Sequence, residues 1–309
     1  MSVVVCAYTE ERWADIERAL DSVRAQTRPV AETILVIDNN EALRVRAAAA
    51  FPGVRVIANT ETKGLSGARN SGVAAAASDV VAFLDDDAVA DPGWAEHLLG
   101  AYDSPAVIGV GGRVEPRWMT TRPDWFPEEF LWVIGCDYRG LPVGKGDIRN
   151  GNGANMSFRR SVFATAGLFD PNVGRIGKNA GGCEETEFSI RALRTHPGGR
   201  IVREPDALCH HTVTAGRVAR TYYRRRCSAE GRSKAVVSGL SGASAALSTE
   251  RRYVSRVLPG GVLRGLGELA RGDRAGGARA VAIVEGLALT AGAYAGARGA
   301  ALVRSHRSA

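Results

Sequence analysis

The first hundred residues alternate short apolar runs with segments in which apolar residues recur every three or four positions. The apolar runs fall within residues 3–7, 32–40, 54–59 and 80–84. Between the first two runs, one helical face carries Trp13, Ile16, Leu20 and Val23. Strands that alternate with helices of this length predict right-handed βαβ units around a parallel sheet. The sequence therefore predicts an α/β fold.

Acidic side chains follow two of the predicted strands. Asp38 ends the second strand, and Asp85, Asp86 and Asp87 come directly after the run at residues 80–84. Ligands of open α/β sheets bind at the carboxyl ends of the strands. A helix cap or a turn is enough to explain the single Asp38. It does not explain three consecutive aspartates, because a cap needs only one. Because adjacent carboxylates repel each other, the triple aspartate favours a site that a divalent cation and a diphosphate complete.

The composition narrows the class of partner and the compartment. The 309 residues carry a net charge of +7, which suits a sugar nucleotide, a nucleic acid or an anionic membrane surface. Aromatic residues make up only 6% and the charge is scattered, which argues against a nucleic-acid partner. Five cysteines without a C-x-x-C pair, and no signal peptide, predict a protein of the reducing cytoplasm.

The region after residue 116 is irregular and rich in glycine, proline, tryptophan and asparagine. Its clearest part is NGNGANMSFRRSVFATAGLFD, with a strand predicted at residues 154–158. The segment GGCEETEFSIRALRTH then predicts a helix with Glu184, Glu185 and Glu187 in its first turn. The helix dipole favours acids at that end, so their presence there has a purely structural explanation as well as a catalytic one.

The C-terminal tail is basic and apolar. Its longest uncharged run, residues 286–297, has twelve residues, whereas a membrane-spanning helix needs ~20. Two interpretations remain open: a helix that lies in the interface of the membrane, and an alanine-rich helix pair that packs on the rest of the protein. The first of these would place the protein peripherally on the inner face of the cell membrane.

Seven segments occur in an order that resembles family 2 glycosyltransferases of GT-A fold. They are VVVCAYTEE, LDSVRAQT, ILVIDNN, KGLSGARNSG, AFLDDDAVADPGWAEHL, GANMSFRRSVFATAGLFD and CEETEFSIRAL. The resemblance covers about residues 2–230 and implies a Rossmann-like, mixed but mainly parallel sheet flanked by helices. It divides the chain into a transferase domain (1–235, with a nucleotide-sugar half at 1–115 and an acceptor half at 116–235), a linker (236–250) and a helical extension (251–309).

The family pattern also implies roles for individual residues. Ala7, Tyr8 and Glu10 would line the nucleotide pocket, and Asp38 would face the base, usually uracil. The residues beside base, ribose and donor would be Lys63, Gly64, Ser66, Arg69 and Asn70, with Asp86 and Asn155 in the same donor-binding set. Asp85 and Asp87 would form the D-x-D pair. One or two arginines of the run 224–226 could clamp a phosphate, and we assign Arg226 to the donor.

The base that activates the acceptor is implied to be Glu185, the second member of a Glu-Asp pair in the family. Here the pair is Glu184-Glu185, and the longer side chain moves the carboxylate one methylene further from the backbone. Glu184 and Glu187 therefore remain alternatives. A second departure is Cys6-Ala7, where the family usually has Pro-Thr or Pro-Ala.

The chemistry of such a transfer needs a cation and a base. Hard carboxylate and phosphate oxygens suit Mg²⁺ or Mn²⁺, which Asp87 and Asp85 would hold. In the family a histidine of this region often reaches the metal or the diphosphate, which makes His211 a ligand candidate and His210 a weaker one. The cation would neutralise the leaving diphosphate, while a carboxylate on the opposite face takes the acceptor proton.

The resemblance thus implies an inverting, hexosyltransferase-like enzyme that uses a nucleotide-diphosphate sugar, most often UDP-linked. The Q-x-x-R-W motif of processive synthases is absent, which favours single addition. The acceptor hydroxyl would belong to a lipid-linked sugar, a cell-envelope glycan or a glycosylated metabolite. A sugar nucleotidyltransferase is disfavoured, because no G-x-G-x-R loop follows the first strand. The alternative is an inactive relative that binds at the membrane surface.

Overall fold

The computed structural model describes residues 1–175 and 181–307, with side chains as far as residue 301. These residues form two compact units that share the chain in an interleaved way. The first unit takes its described residues from Met1–Arg117, Pro142–Lys178 and Glu184–Thr212, and the second takes its described residues from Trp118–Leu141, Asn179–Cys183 and Val213–Ala309. The division of the transferase domain at residue 115 and its end at residue 235 stay predictions.

The first unit contains one mixed sheet. Its strands are β1 (Ser2–Ala7), β2 (Glu32–Ile37), β3 (Arg55–Ala58), β4 (Val80–Asp85), β5 (Ala88–Ala90), β6 (Val107–Trp118), β7 (Gly146–Ile148), β8 (Asn155–Arg159) and β9 (Arg200–Val213). The order is β3-β2-β1-β4-β8-β6-β9-β5, and β7 pairs with β9. The strands β3, β2, β1 and β4 are parallel, as the alternating pattern predicts. The pairs β4–β8, β6–β8, β5–β9 and β7–β9 are antiparallel.

Six α-helices belong to the same unit. They are α1 (Trp13–Arg24), α2 (Glu41–Ala50), α3 (Leu65–Ala75), α4 (Trp94–Gly100), α5 (Arg160–Ala166) and α6 (Glu184–Thr195). Trp13 is half-buried, and the predicted face of α1 is confirmed for Ile16, Leu20 and Val23, which are buried. Each such side chain contributes about 1.5–3 kcal/mol by leaving water.

A cluster of phenylalanines holds α5 and α6 against the sheet. Phe158 of β8 meets Phe188 of α6 with ring centroids 4.9 Å apart, and Phe163 of α5 stacks on Phe188 at 4.8 Å. Phe83 of β4 contacts Phe163 and Phe169 edge to face. Such pairs add about 0.5–1.5 kcal/mol beyond their burial. The cluster therefore fixes α6, and with it the acidic first turn, relative to the end of β4.

The second unit is helical. Its helices are α7 (Arg220–Ser241), α8 (Ala243–Ala246), α9 (Ser248–Arg252), α10 (Leu258–Ala270) and α11 (Arg274–Arg307). Residues 236–250, expected as a linker, form the end of α7, then α8, and the start of α9. α7 packs closely on α11, because Gly231 has no side chain: a Cβ there would lie 2.1 Å from the Thr290 carbonyl oxygen.

The length and composition of helix α11 bear on whether the C-terminal tail could cross a membrane. Among the residues that the structure describes, the segment Arg274–Ala301 is the one helix whose length and apolar composition would suffice to cross a membrane. The same segment makes protein contacts: the Tyr223 hydroxyl donates to the Ala282 carbonyl, and Thr290 Oγ1 donates to the Cys227 carbonyl. A helix that packs within a water-soluble protein meets the same criterion of length and composition.

Candidate active site

The triple aspartate lies where β4 ends, beside a histidine from a distant part of the chain. Asp85, Asp87 and His211 each offer a ligand atom, and these atoms all lie within 4.8 Å of one another. The antiparallel pairing of β5 with β9 sets His211 opposite Ala88, the residue after Asp87. As a result, His211 Nε2 is 3.0 Å from Asp87 Oδ1.

The donor atoms of this group suit a divalent cation. Two carboxylates and an imidazole are hard or borderline ligands of the kind that Mg²⁺ and Mn²⁺ accept. Asp87 and His211 are buried, while Asp85 is more accessible. His210, the weaker candidate, points its Nε2 at Asp91 Oδ1 instead, at 3.0 Å. The residues present thus fit the expected metal site, with His211 rather than His210 as its histidine.

Arg12 is a member of the site that the sequence analysis did not identify. It ends a short 3₁₀-helix, Glu10–Arg12, just after β1. The parallel register pairs Cys6 with Asp85, so the residues after β1 and β4 are neighbours. Arg12 Nη1 lies 2.8 Å from Asp86 Oδ1 and 3.3 Å from Asp87 Oδ2. The available signal was that three adjacent carboxylates need a nearby cation, and Arg12 follows the strand next to theirs.

The middle aspartate has a different environment from its neighbours. Asp86 is buried and does not belong to the metal-ligand group. Its Oδ2 has no hydrogen-bond partner among the described residues. Burial, with the charges of Asp87 and Asp85, raises the pKa of Asp86 to about 7, against the effect of Arg12. Burial also acts to lower the pKa of Arg12, but the aspartates outweigh it and raise that pKa above its usual value.

Arg69 of α3 connects β4 with α6. Its Nη1 donates to Glu184 Oε1 at 2.7 Å, its Nη2 donates to the Gly153 carbonyl at 2.9 Å, and Nη2 also lies 3.5 Å from Asp85 Oδ1. Arg69 is almost fully buried. Burial opposes its charge, yet Glu184 and Asp85 raise the pKa of Arg69, so the guanidinium stays protonated.

The three glutamates of α6 have distinct partners. Glu184 is buried and bound to Arg69, and Glu187 forms two hydrogen bonds with Arg191. Glu185 is only half-buried, and its Oε1 accepts from Thr186 Oγ1 at 3.0 Å. Of the three, Glu185 is therefore the most accessible carboxylate, since Glu184 and Glu187 are buried.

A second acidic position lies at the end of β2. Asp38 Oδ1 accepts from Asn59 Nδ2 at 2.7 Å, and Asp38 Oδ2 accepts from the Gly64 amide at 3.0 Å. Gly64 precedes α3 with a φ of 124°, which L side chains rarely adopt. Asp38 thus fixes the glycine-rich turn that leads into α3, the helix that carries Arg69.

The other predicted donor residues differ in how accessible they are. Tyr8, Glu10 and Lys63 are accessible, and Glu10 lies 3.6 Å from Arg46. Ala7 is buried within β1. Arg226 belongs to the second unit, where it is buried on α7.

Three of the predicted donor residues are engaged in holding the fold. Ser66 Oγ donates to the Val173 carbonyl, and the Asn70 amide exchanges two hydrogen bonds with the backbone of Phe169. Asn155 accepts from Trp94 Nε1 and donates to the Arg113 and Ala207 carbonyls. Both amide hydrogens of Asn155 are thus used within the protein.

Comparison with known proteins identifies the family of the chain. The model of glycosyl transferase family 2 matches residues 2–167. A glucosyl-dolichyl phosphate glucuronosyltransferase of Haloferax volcanii is 37% identical over 217 residues, which is 69% of each chain. The succinoglycan biosynthesis protein ExoM of Rhizobium meliloti is 26% identical over 73% of this chain and 71% of its own.

Solved structures show the same fold at low identity. The mannosyltransferase PcManGT of Pyrobaculum calidifontis, solved with GDP-Man and Mn²⁺, aligns with a TM-score of 0.59 at 17% identity, over 93% of this chain and 85% of that one. GalNAc-T7, solved with UDP, GalNAc and Mn²⁺, gives 0.54 at 18% identity, over 79% and 54%. The GT-A fold expected from the sequence is thereby confirmed, and the chain belongs to glycosyltransferase family 2.

Proposed function

We propose that this glycosyltransferase moves a sugar, with inversion, from a UDP-sugar to a hydroxyl of a lipid-linked glycosyl phosphate. The observation that carries the proposal is the group Asp85, Asp87 and His211 at the end of β4, joined through Arg69 to the acidic first turn of α6. The group at the end of β4 suits a cation and a diphosphate. The first turn of α6 offers a carboxylate that could act as a base.

The roles of the residues follow from their surroundings. Asp87, Asp85 and His211 would hold Mg²⁺ or Mn²⁺, whose contribution is to neutralise the leaving diphosphate. Glu185 is proposed to accept the acceptor proton, because the family pattern implies it and it is the least buried glutamate of the first turn of α6. Arg69 holds Glu184, which fixes the turn from which Glu185 projects. Asp38, Gly64 and Lys63 would border the nucleoside.

Support for the acceptor class comes from the relatives. The Haloferax volcanii relative is named as acting on glucosyl-dolichyl phosphate. We extend this to the class of lipid-linked glycosyl phosphates and propose that the protein works at the cytoplasmic face of the membrane. UDP is proposed from the family pattern, and GDP is the alternative to test, since one structural neighbour was solved with GDP-Man.

The distribution of charge supports a membrane-surface location. Residues 251–309 hold ten arginines and three acidic residues, so the net charge of +7 belongs to this segment, and residues 1–250 balance at 30 basic and 30 acidic residues. Each tail acid is paired with an arginine: Glu268 and Asp273 with Arg279, and Glu285 with Arg224. Basic residues near an anionic surface contribute about 1 kcal/mol each.

The helices of the tail also leave apolar side chains in water. Leu263 and Leu266 on α10, and Val281 and Val284 on α11, are all exposed, Leu263 by 70%. Because residues three positions apart share a helix face, each pair forms an apolar strip of the kind that suits an interaction surface. Because α11 is bonded to α7 through Tyr223 and Thr290, we propose that this surface lies on the membrane rather than spanning it.

Nucleotide binding tests the donor part of the proposal. Calorimetric titration with UDP, GDP and their sugars, each with Mn²⁺ or EDTA, should give metal-dependent binding of one nucleotide, and Asp87→Asn should abolish the metal dependence. Transfer from the radiolabelled donor to a glycosylated polyprenyl phosphate then tests the acceptor. Binding without transfer to any acceptor would favour the inactive relative, and no nucleotide binding by the folded protein would refute the proposal.

Vesicle sedimentation tests whether the exposed apolar side chains of α10 and α11 bind a membrane. Binding to vesicles with anionic lipid should exceed binding to neutral phosphatidylcholine vesicles, and the double variant Leu263→Gln/Val281→Gln should reduce it at least tenfold. Val143, which is 89% exposed in the first unit, gives the matched control Val143→Gln. Unchanged sedimentation of the double variant would contradict the proposed surface, and extraction only by detergent would indicate a spanning helix.

A further inference from the structure

The guanidinium of Arg12 bridges a carboxylate that belongs to the candidate metal site and one that does not. Arg12 Nη1 is 2.8 Å from Asp86 Oδ1 and 3.3 Å from Asp87 Oδ2. The other oxygen of Asp87, Oδ1, faces His211 at 3.0 Å. The carboxylate of Asp87 is therefore shared, with one oxygen on the side of the metal-ligand group and one on the side of Arg12.

The two arginines of the site differ in how accessible their N–H donors are to a ligand. Arg69 is almost fully buried, and its described bonds go to Glu184 and Gly153. The side chain of Arg12 is 27% exposed, and its described ion pairs use a single nitrogen, Nη1. A guanidinium has five N–H donors in a planar fork. Arg12 thus combines a fixed position beside Asp87 with accessible surface.

Asp86 accounts for that fixed position. It is 4% exposed, lies outside the metal-ligand group, and accepts from Arg12 through Oδ1. A buried carboxylate is costly unless it is paired, so the presence of Asp86 next to two other aspartates needs a reason. The geometry points to anchoring: without Asp86, the one described ion pair of Arg12 would be the more distant contact with Asp87.

We propose that Arg12 binds the diphosphate of the donor, and that Asp86 is the positioning residue that holds Arg12 for it. This rests on the proposed donor class. Arg12 Nη1 lies 3.3 Å from Asp87, so a diphosphate bound beside that carboxylate would be within reach of the guanidinium. Arginine suits phosphate because its fork makes paired, charge-assisted hydrogen bonds. Asp86, which the sequence predicted to contact the donor directly, would thus act on the donor through Arg12.

The proposal predicts opposite effects on two ligands. Arg12 repels a bare cation at Asp87 but attracts a diphosphate. Removing its charge in Arg12→Met should therefore leave the affinity for Mn²⁺ alone unchanged or higher. The same change should weaken UDP in the presence of Mn²⁺ at least tenfold, which corresponds to ~1.4 kcal/mol. Uridine, which has no phosphate, should bind both proteins equally.

The test is calorimetric titration of the full-length protein with Mn²⁺, UDP and uridine. Arg24→Met is the matched control, because Arg24 lies on α1, is 83% exposed and pairs only with exposed Asp21 among its described ion pairs. Arg12→Lys keeps a charge without the fork and should lose less than Arg12→Met. Asp86→Asn keeps an acceptor but loses the charge, and it should weaken UDP without weakening uridine.

Three outcomes would overturn the inference: UDP affinity unchanged in folded Arg12→Met, equal losses for UDP and uridine, or weaker binding of Mn²⁺ alone. If Arg12→Met does not fold, Arg12→Lys decides by the same comparison of UDP with uridine. Failure of the wild-type protein to bind any nucleoside diphosphate would instead refute the proposed function, so the two failures are distinguishable.

Discussion

Arg69 donates a 2.7 Å hydrogen bond to Glu184 and so fastens the first turn of α6 beside the aspartates of β4. The contact joins residues 115 positions apart in the sequence, and both side chains are almost fully buried. A buried ion pair of this kind adds little net stability over an apolar pair, but it fixes geometry. Its function here would be to hold Glu185 at a constant distance from the donor site.

Removing one partner of this pair should be strongly destabilising. We expect Arg69→Met to lower the free energy of unfolding by about 3–5 kcal/mol, because Glu184 is left as an uncompensated buried charge. Urea denaturation followed by circular dichroism measures this. The double variant Arg69→Met/Glu184→Gln should recover part of the loss, and a double variant no more stable than Arg69→Met would show that the two residues are not coupled.

Substitution of each glutamate should identify the base. Glu185→Gln should keep donor affinity and lower kcat by about 10²–10⁴, the usual contribution of a general base. Glu187→Gln is the matched control on the same helix turn, and since Glu187 binds Arg191, its loss should appear in stability more than in kcat. Full turnover by Glu185→Gln would transfer the role to Glu184 or Glu187.

Adjacent histidines give a test of the metal site. His211→Ala should weaken the binding of Mn²⁺ at least tenfold. Even the loss of a residue that only hydrogen-bonds to a metal ligand lowers metal affinity by about 10–100-fold. His210→Ala should bind Mn²⁺ normally, because His210 faces Asp91. EDTA should abolish transfer by the wild-type protein, and added Mn²⁺ should restore it. Titration calorimetry with Mn²⁺ measures the affinities, and equal losses in both variants would disprove this ligand set.

The sequence was sufficient for the parallel part of the sheet and for the acidic residues at its edge, whereas β5, β6 and β7 were not predicted. The apolar periodicity predicts β1 to β4, because each strand carries its own pattern, and the triple aspartate is visible as a local anomaly. Arg12 and the Arg69–Glu184 pair were not predicted, since their meaning depends on contacts between residues 74 and 115 positions apart. The donor role of Asn155 stays a prediction, and its hydrogen bonds to Trp94, Arg113 and Ala207 become visible only once the strands are paired.

The packing of the C-terminal tail also could not be predicted from the sequence alone. Its composition left an interfacial helix and a packed helix pair open, because the two differ in which face is covered. In the structure, α11 packs on α7 along one side, while Val281 and Val284 remain exposed. The packed helix pair therefore describes one side of α11, where small residues such as Gly231 allow close contact, and the interfacial interpretation stays a prediction for the exposed side.

Two glycines of α7 test that packing in opposite directions. A Cβ at Gly231 would lie 2.1 Å from the Thr290 carbonyl oxygen, so Gly231→Ala must push α11 away and should lower Tm by several degrees. At Gly239 the nearest atom would be Arg298 Nη1 at 3.6 Å, an ordinary contact. Gly239→Ala should therefore raise stability by about 0.5–1 kcal/mol through helix propensity alone. Differential scanning calorimetry measures both, and if Gly231→Ala is as stable as Gly239→Ala, then α11 does not approach α7 in solution as closely as this contact requires.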